Sequence, residues 1–362
     1  MIQVEVLPGR FQSVTTLLLC WGKGITLPRE TLVPFRTSAL LLALVFLCPV
    51  ARAAQQHEAL HKDLRDLSQA PQRNTTDLPL PASSRKTVSE DLARRDFDGA
   101  ERILIDAIHQ NPKSPRLLTF LGNVYFLAGS YLECAVAMKK AEALAALSDG
   151  DRFLLAMSYV VLGHSDWAKP EIERLVKSEP GNALYYYWLS RVDYDLRFYA
   201  KGAAAGRRAV ALKPGFVRAY DSVGLCEEAL GHYQDAIRSY TKAEHLNLKA
   251  KPPSPWPPLE LGTLYLHLNR FSDAKAEIEK ALSLDPRFPE AHFRLGAVLE
   301  HEGNNARAEA EYKRAIALKP NFAGPHYALA RLYGRLGKTK RAQAETAEFQ
   351  KIRAKQRGLG IR

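Results

Sequence analysis

Along most of the chain, apolar and small residues return three and four positions apart, the spacing of one helix face, and the pattern breaks on glycine or proline. In one stretch Leu295, Gly296 and Leu299 mark a helix face and Gly303 ends that helix. Ala308, Tyr312 and Ala315 then mark the face of a second helix before Pro320 stops it. Two amphipathic helices joined by a turn make one unit, and the unit recurs. "LGNVYFLAGSYLECAVAMKKA" from Leu121, "VGLCEEALGHYQDAIRSYTKA" from Val223, "LGTLYLHLNRFSDAKAEIEKA" from Leu261 and "LGAVLEHEGNNARAEAEYKRA" from Leu295 align without gaps.

Leu261 and Leu295 stand 34 residues apart, and this frame divides the chain into 81–114, 115–148, 149–182, 183–216, 217–254, 255–288, 289–322 and 323 to about 356. One slot holds Gly122, Ala156, Ser190, Gly224, Gly262, Gly296 and Ala330, where a larger side chain would hold paired helices apart. A second small slot holds Ala100, Cys134, Ala168, Gly202, Ala236, Ala274, Ala308 and Ala342 and lets the second helix close on the first. The L-G…Y…A…F…P pattern and its period resemble the tetratricopeptide repeat across residues 81–356. That resemblance implies an all-α fold, a right-handed superhelical solenoid of about eight stacked antiparallel helix pairs, each touching mainly its neighbours. Val88 departs from the small residue in the first unit, whose opening "PASSRKTV" is polar, so a frayed or short first helix is expected there.

The unit from Val217 carries four extra residues, and "KPPSPWPP" from Lys251 places five prolines within seven positions, which no helix interior holds. The next helix is expected to begin near Pro257, since proline is tolerated in a first turn. A change of superhelical pitch and an inert long loop are both open at this junction. Upstream, "DLSQAPQRNTTDLPLPASSRK" has the composition of a flexible linker, and "QQHEALHKDLRDLSQA" before it reads as a short helix, giving a linker segment over 54–80. Asn74-Thr75-Thr76 fits a glycosylation sequon, a chance match beside a bacterial-type signal.

The first 53 residues differ from the rest. Arg36, the apolar run Ala39 to Cys48, Pro49, and small residues at Ala51 and Ala53 form the three parts of an export signal, with cleavage expected between Ala53 and Ala54. An uncleaved anchor is the alternative, although a bilayer span needs about 20 apolar residues. Thirty-five residues precede Arg36, more than such signals carry, so we expect translation to start near Val33. Export implies a periplasmic or secreted protein.

Charge sharpens this picture at one end only. The net charge of +12 becomes +9 once residues 1–53 are removed, and Arg331 to Arg362 alone hold ten Lys/Arg against Glu345 and Glu348. The body is therefore near neutral and the basic surplus belongs to the tail, where 357–362 form its end. No nucleic-acid stripe is expected, because such binders spread basic residues across the folded surface. An acidic partner or an anionic membrane surface would suit the tail. The tail's Phe349 and Ile352 lie one face apart and are expected to cap the array.

Candidate chemistry is thin. Cys20, Cys48, Cys134 and Cys226 show no Cys-x-x-Cys spacing, which removes the zinc-ribbon and thiol-redox classes, and no disulfide is expected in the folded part. "HEALH", His57 to His61, matches a zinc-protease motif, yet it lies ahead of the repeats with no domain to form a cleft. No metal, cofactor or catalytic residue is therefore assigned. The remaining histidines are scattered through the frame.

What remains is an unusual series of aromatic and cationic residues. "NALYYYWLSRVDYDLRFY", from Asn182, holds seven aromatics in eighteen residues. By resemblance to the family, the fifth, ninth and twelfth positions of each first helix line a concave groove. Those positions supply Phe153, Met157, Tyr187, Arg191 and Tyr194 towards one end and Phe293, Tyr327 and Arg331 towards the other. The functional expectation is an aromatic and arginine groove for a protein or peptide segment. The competing expectation is that these residues bury one another. The clamp used by chaperone-tail binders is set aside, because only Asn123 matches it and Thr119 stands where lysine belongs. Three functions are expected, in order: a non-enzymatic exported scaffold in envelope assembly or secretion, a metalloprotease carrying a repeat array, and a structural spacer.

Overall fold

The computed structural model describes residues 75–358. The export signal with Ala53 and Ala54, the start near Val33, the histidine motif His57 to His61 and its short helix, the sequon's Asn74 and residues 359–362 lie outside the described residues.

A short 3-10 helix, Thr75–Asp77, precedes sixteen α-helices among the described residues, which contain no strand. They are α1 (Ala82–Arg94), α2 (Phe97–Gln110), α3 (Pro115–Ala128), α4 (Tyr131–Glu142), α5 (Asp149–Val161), α6 (Ser165–Ser178), α7 (Ala183–Asp195) and α8 (Tyr199–Leu212). The second half holds α9 (Val217–Ala229), α10 (Tyr233–Asn247), α11 (Trp256–His267), α12 (Phe271–Leu284), α13 (Pro289–His301), α14 (Asn305–Leu318), α15 (Ala323–Arg335) and α16 (Thr339–Gly358). Each helix packs on the next, and first helices of successive pairs also touch between α3 and α5 and from α7 through α15. The result is an all-α solenoid of stacked helix pairs. None of the described helices is long and apolar enough to cross a membrane.

The helices start and stop where backbone chemistry requires. Ser114 and Ser148 accept hydrogen bonds from the N–H of Leu117 and Asp151, satisfying donors that the first turn leaves unpaired. The turn after the first helix demands a left-handed residue, and glycine fills it at Gly129, Gly163, Gly231, Gly303 and Gly337, with φ between 69° and 82°. Arg95, Arg197 and Asn269 occupy the same slot at φ 59°, 63° and 59°, a conformation that strains a side chain bearing Cβ.

The small slot behaves as the sequence implies. A Cβ on Gly224 would stand 2.5 Å from the Tyr240 ring, and one on Gly296 2.5 Å from the Tyr312 ring. Both tyrosines are buried, so their rings fill the space that glycine leaves.

Two expectations are corrected. The first helix is neither short nor frayed: α1 runs thirteen residues, with Val88 fully buried beside Leu104 and Leu117. Its cover comes from the stretch read as linker, where Leu78 and Leu80 join the same cluster and the Arg85 guanidinium donates to the carbonyls of Thr76 and Leu78. Apolar residues at 78 and 80 made this stretch part of the core despite its prolines. At the proline-rich junction α11 begins at Trp256 with Pro257 and Pro258 in its first turn. The loop before it is held by buried Asn247, which donates to the Ser254 carbonyl at 2.6 Å and accepts from the Ser254 N–H at 2.9 Å.

Candidate functional site

The first helix of each pair has neighbours on several sides, which decides what becomes of its aromatics. In α7, Trp188 is 1% exposed and Tyr187 is 4% exposed. The Tyr187 ring centroid lies 5.1 Å from that of Trp188 and 5.2 Å from that of Phe216. Met157 is fully buried in the same cluster. Half-buried Phe153 lies 5.7 Å from Tyr185, and half-buried Tyr194 lies 5.5 Å from Tyr199. Arg191 is partly exposed. Phe293 is buried 5.3 Å from Phe322 and 5.9 Å from Tyr312. An open groove face is therefore not what the structure gives Met157, Tyr187 and Phe293. Residues of their own and adjacent units close over them.

At the C-terminal end the outcome differs. Tyr327 on α15 is 38% exposed, with its ring 5.4 Å from Phe349 of α16. One turn further, an Arg331 Nη donates to Glu300 Oε1 at 2.7 Å, and Arg335 donates to the same oxygen at 2.7 Å. Glu300 Oε2 accepts the Tyr312 hydroxyl at 2.6 Å. Burial and this carboxylate push the Tyr312 hydroxyl well above its ordinary pKa. Two guanidinium groups thus share one buried carboxylate, leaving a local cationic surplus beside an exposed aromatic ring. Arg335 was not singled out by the sequence pattern, although it lies one turn beyond Arg331.

The same construction appears two units earlier. Glu228 Oε2 accepts the Tyr240 hydroxyl at 3.1 Å, and Glu228 Oε1 lies 2.9 Å from His267 Nδ1. Residues between adjacent units repeat in this way as well: Tyr125 donates to Glu101 at 2.8 Å, Lys169 to Asp193 at 2.5 Å and Tyr333 to Glu309 at 2.9 Å, each pair 24 residues apart. Burial, then the bond to Glu101, raise the Tyr125 hydroxyl to about 12. Hydrogen bonding to Lys313 leads the effects that lower Glu309 to about 2.

Among the described residues one group offers three metal-ligating atoms, from Glu227, His232 and Asp235, within 4.8 Å of one another. Arg207 binds Glu227 and Arg238 binds Asp235, so the group is an ion-pair hub with cations already in place. Cys134 and Cys226 are buried free thiols that burial raises to about 12, which suppresses the reactive thiolate. In the tail helix Ile352 is 7% exposed and Phe349 half-buried, while Lys351 and Lys355 are exposed.

Comparison with known proteins agrees with the helix-pair architecture. The tetratricopeptide-repeat family profile matches residues 86–151, 153–215 and 259–321, and a second profile of that repeat matches 311–344. Among solved structures, a tetratricopeptide repeat protein from Parabacteroides merdae has 19% identity and a TM-score of 0.57, covering 66% of this chain and 92% of its own. PilW, a type IV pilus biogenesis factor, has 21% identity and a TM-score of 0.50, with 56% of this chain and 92% of its own covered. MamA has 25% identity over 46% of this chain and 91% of its own, with a TM-score of 0.44. The first two likenesses establish the fold and no more. No curated protein matches the chain.

Proposed function

The chain belongs to the tetratricopeptide-repeat family, and from that premise we propose a non-enzymatic interaction scaffold that holds a segment of a partner protein at its last two units. The observation that carries this reading is the surface around Tyr327, where an exposed ring stands beside Arg331 and Arg335 on a single carboxylate. Aromatic rings and arginines dominate protein interfaces because they bury large area and make several directed hydrogen bonds. The corresponding Tyr187 is already occupied by its own neighbours, so the binding surface is local and not spread along the array. We further propose that the protein is exported and serves in the cell envelope or a secreted complex, on the strength of the three-part signal pattern ending at Ala53. The basic tail favours an acidic partner segment or an anionic membrane surface.

Replacing Tyr327 by Ala and, separately, Arg335 by Gln tests this. Arg335→Gln leaves Arg331 on Glu300, so the buried carboxylate keeps a cation. Each change should weaken the partner by about 2 kcal/mol, as hot-spot truncations do, with the unfolding midpoint nearly unchanged. Partner capture at full strength by both variants would favour the spacer reading.

A further inference from the structure

The near-neutral charge of the body is an average over unlike surfaces. First helices of successive pairs pack on one another from α7 through α15, while second helices are held further apart, so the second helices form the outer side of the array. Of these, α8 holds no acidic residue, whereas every other second helix holds two or three. From Leu196 to Tyr220 the chain carries six Lys/Arg and no Asp or Glu. On the next second helix, α10, the acids are Asp235 and Glu244, and both are taken, Asp235 by Arg238 and Glu244 by Lys280.

Six cations of this region are exposed and meet no carboxylate among the described residues: Arg197, Lys201, Arg208, Lys213, Lys242 and Lys249. Three of them lie over aromatic rings instead. Lys201 Nζ is 5.5 Å from the centroid of Phe198, the Arg208 guanidinium 5.9 Å from that of Tyr186, and Lys213 Nζ 5.3 Å from that of Phe216. Lys201 and Arg208 share one face of α8, two turns apart, and Lys242 on α10 stands 34 residues after Arg208, at the same place in the next unit. The charge therefore continues from one unit to the next. Nearby acids are engaged: buried Glu227 holds Arg207, buried Asp193 holds Lys169, and Asp195 at the end of α7 accepts the Ser165 hydroxyl. Apolar side chains stand out at the two ends of this surface, Phe198 before α8 at 48% exposure and Leu248 after α10 at 68%.

We propose that the outer side of α8 and α10 is a docking surface for an anionic phospholipid bilayer. Like charges gathered on two adjacent helices repel one another, and a layer of lipid phosphates neutralises all of them at once. The apolar side chains select the bilayer over other polyanions. Phe198 and Leu248 stand at separate places beside charged residues, so a folded partner would need a hollow shaped for each. The boundary between headgroups and acyl chains is fluid and receives a lone ring or a lone aliphatic tip wherever it arrives. Lysine and arginine stems can lie along such apolar surface while their heads reach the phosphates. A nucleic-acid backbone would meet the cations and leave both apolar side chains in water. This surface belongs to the fourth and fifth units and stands apart from the partner-binding reading of the last two.

Sedimentation of the full chain with vesicles tests it, using phosphatidylcholine alone and phosphatidylcholine with about one-third phosphatidylglycerol. Partition into the anionic vesicles should exceed that into the neutral ones and should weaken as salt is added. Lys201→Gln with Arg208→Gln and Lys242→Gln should lower the anionic partition by at least about tenfold, since each cation near such a surface adds about fivefold. Lys351→Gln with Arg353→Gln and Lys355→Gln reports the tail by itself. Equal partition into both vesicles, or an α8–α10 variant that binds as well as the parent, would overturn the proposal, and a loss confined to the tail variant would move the surface to α16. Binding of duplex DNA or poly-glutamate without binding of anionic vesicles would also refute it. Should the α8–α10 variant fail to fold, hydrogen exchange of the parent with and without anionic vesicles decides: slowed exchange in α8 and α10 supports the surface, and unchanged exchange there refutes it.

Discussion

Tyr187 with Arg191 and Tyr327 with Arg331 are the same pair of residues at the same places in two units, yet one tyrosine is 4% exposed and the other 38%. The difference lies in the helices that succeed each pair along the array. After α7 come α8 and, at the start of α9, Phe216, whose ring lies 5.2 Å from the Tyr187 ring, and the adjacent Trp188 seals the other side. Beyond α15 only α16 remains among the described residues, and it offers Phe349 alone to Tyr327. A position in a repeat fixes which way a side chain projects. Whether the side chain is buried is set by the elements packed around it, so the unit of α15 and α16 displays a ring that the unit of α7 and α8 packs.

The largest test of this contrast is truncation. Tyr187→Ala should destabilise by about 3–5 kcal/mol, the range for deleting a buried aromatic, and Tyr327→Ala by no more than about 0.5 kcal/mol, as at an exposed site. Urea midpoints of the two variants measure it, and similar losses would mean that both rings are core. Glycines sharpen the same point on a smaller scale. Gly296→Ala should cost about 1–3 kcal/mol, because its Cβ would meet the Tyr312 ring. Gly334→Ala on α15 meets nothing within 4 Å and should gain about 0.5–1 kcal/mol from helix propensity.

Turn residues should show an effect of about 1 kcal/mol, the strain that a left-handed conformation imposes on a Cβ. Arg197→Gly should raise the thermal midpoint and Gly303→Ala should lower it, since both occupy the left-handed slot. The smallest effect is a pH dependence. With its folded pKa lowered to about 2 from 4.5, Glu309 contributes stability that is present above pH 4.5 and lost as pH falls towards 2. Glu309→Gln should therefore be less stable than the parent at pH 7, and the gap should close in acid unfolding curves. A constant gap would assign its role to shape alone.

Helix faces, turns and small slots were legible in the sequence because they arise from periodicity and from residues with few conformational options. Gly303 ends a helix and Gly296 admits a ring for local reasons that one unit states by itself. Burial at the fifth and ninth positions was not legible, since the ring that covers Tyr187 arrives from Phe216, 29 residues away. The packing of Val88 under Leu78 and Leu80 was hidden by a composition that reads as linker. Arg335 and the Asn247 clamp depend on contacts with Glu300 and Ser254 that no single stretch announces.

Partner contact at the displayed end of the array is the claim on which the proposed function rests. A photo-crosslinking residue placed at Tyr327, compared with one at Trp167, which is 52% exposed on an early unit, tests it most directly in the protein's native compartment. A discrete crosslinked species is expected from position 327, lost on Arg335→Gln, and none from position 167. Equal crosslinking from both sites, or none from 327 while 167 reacts, would contradict it.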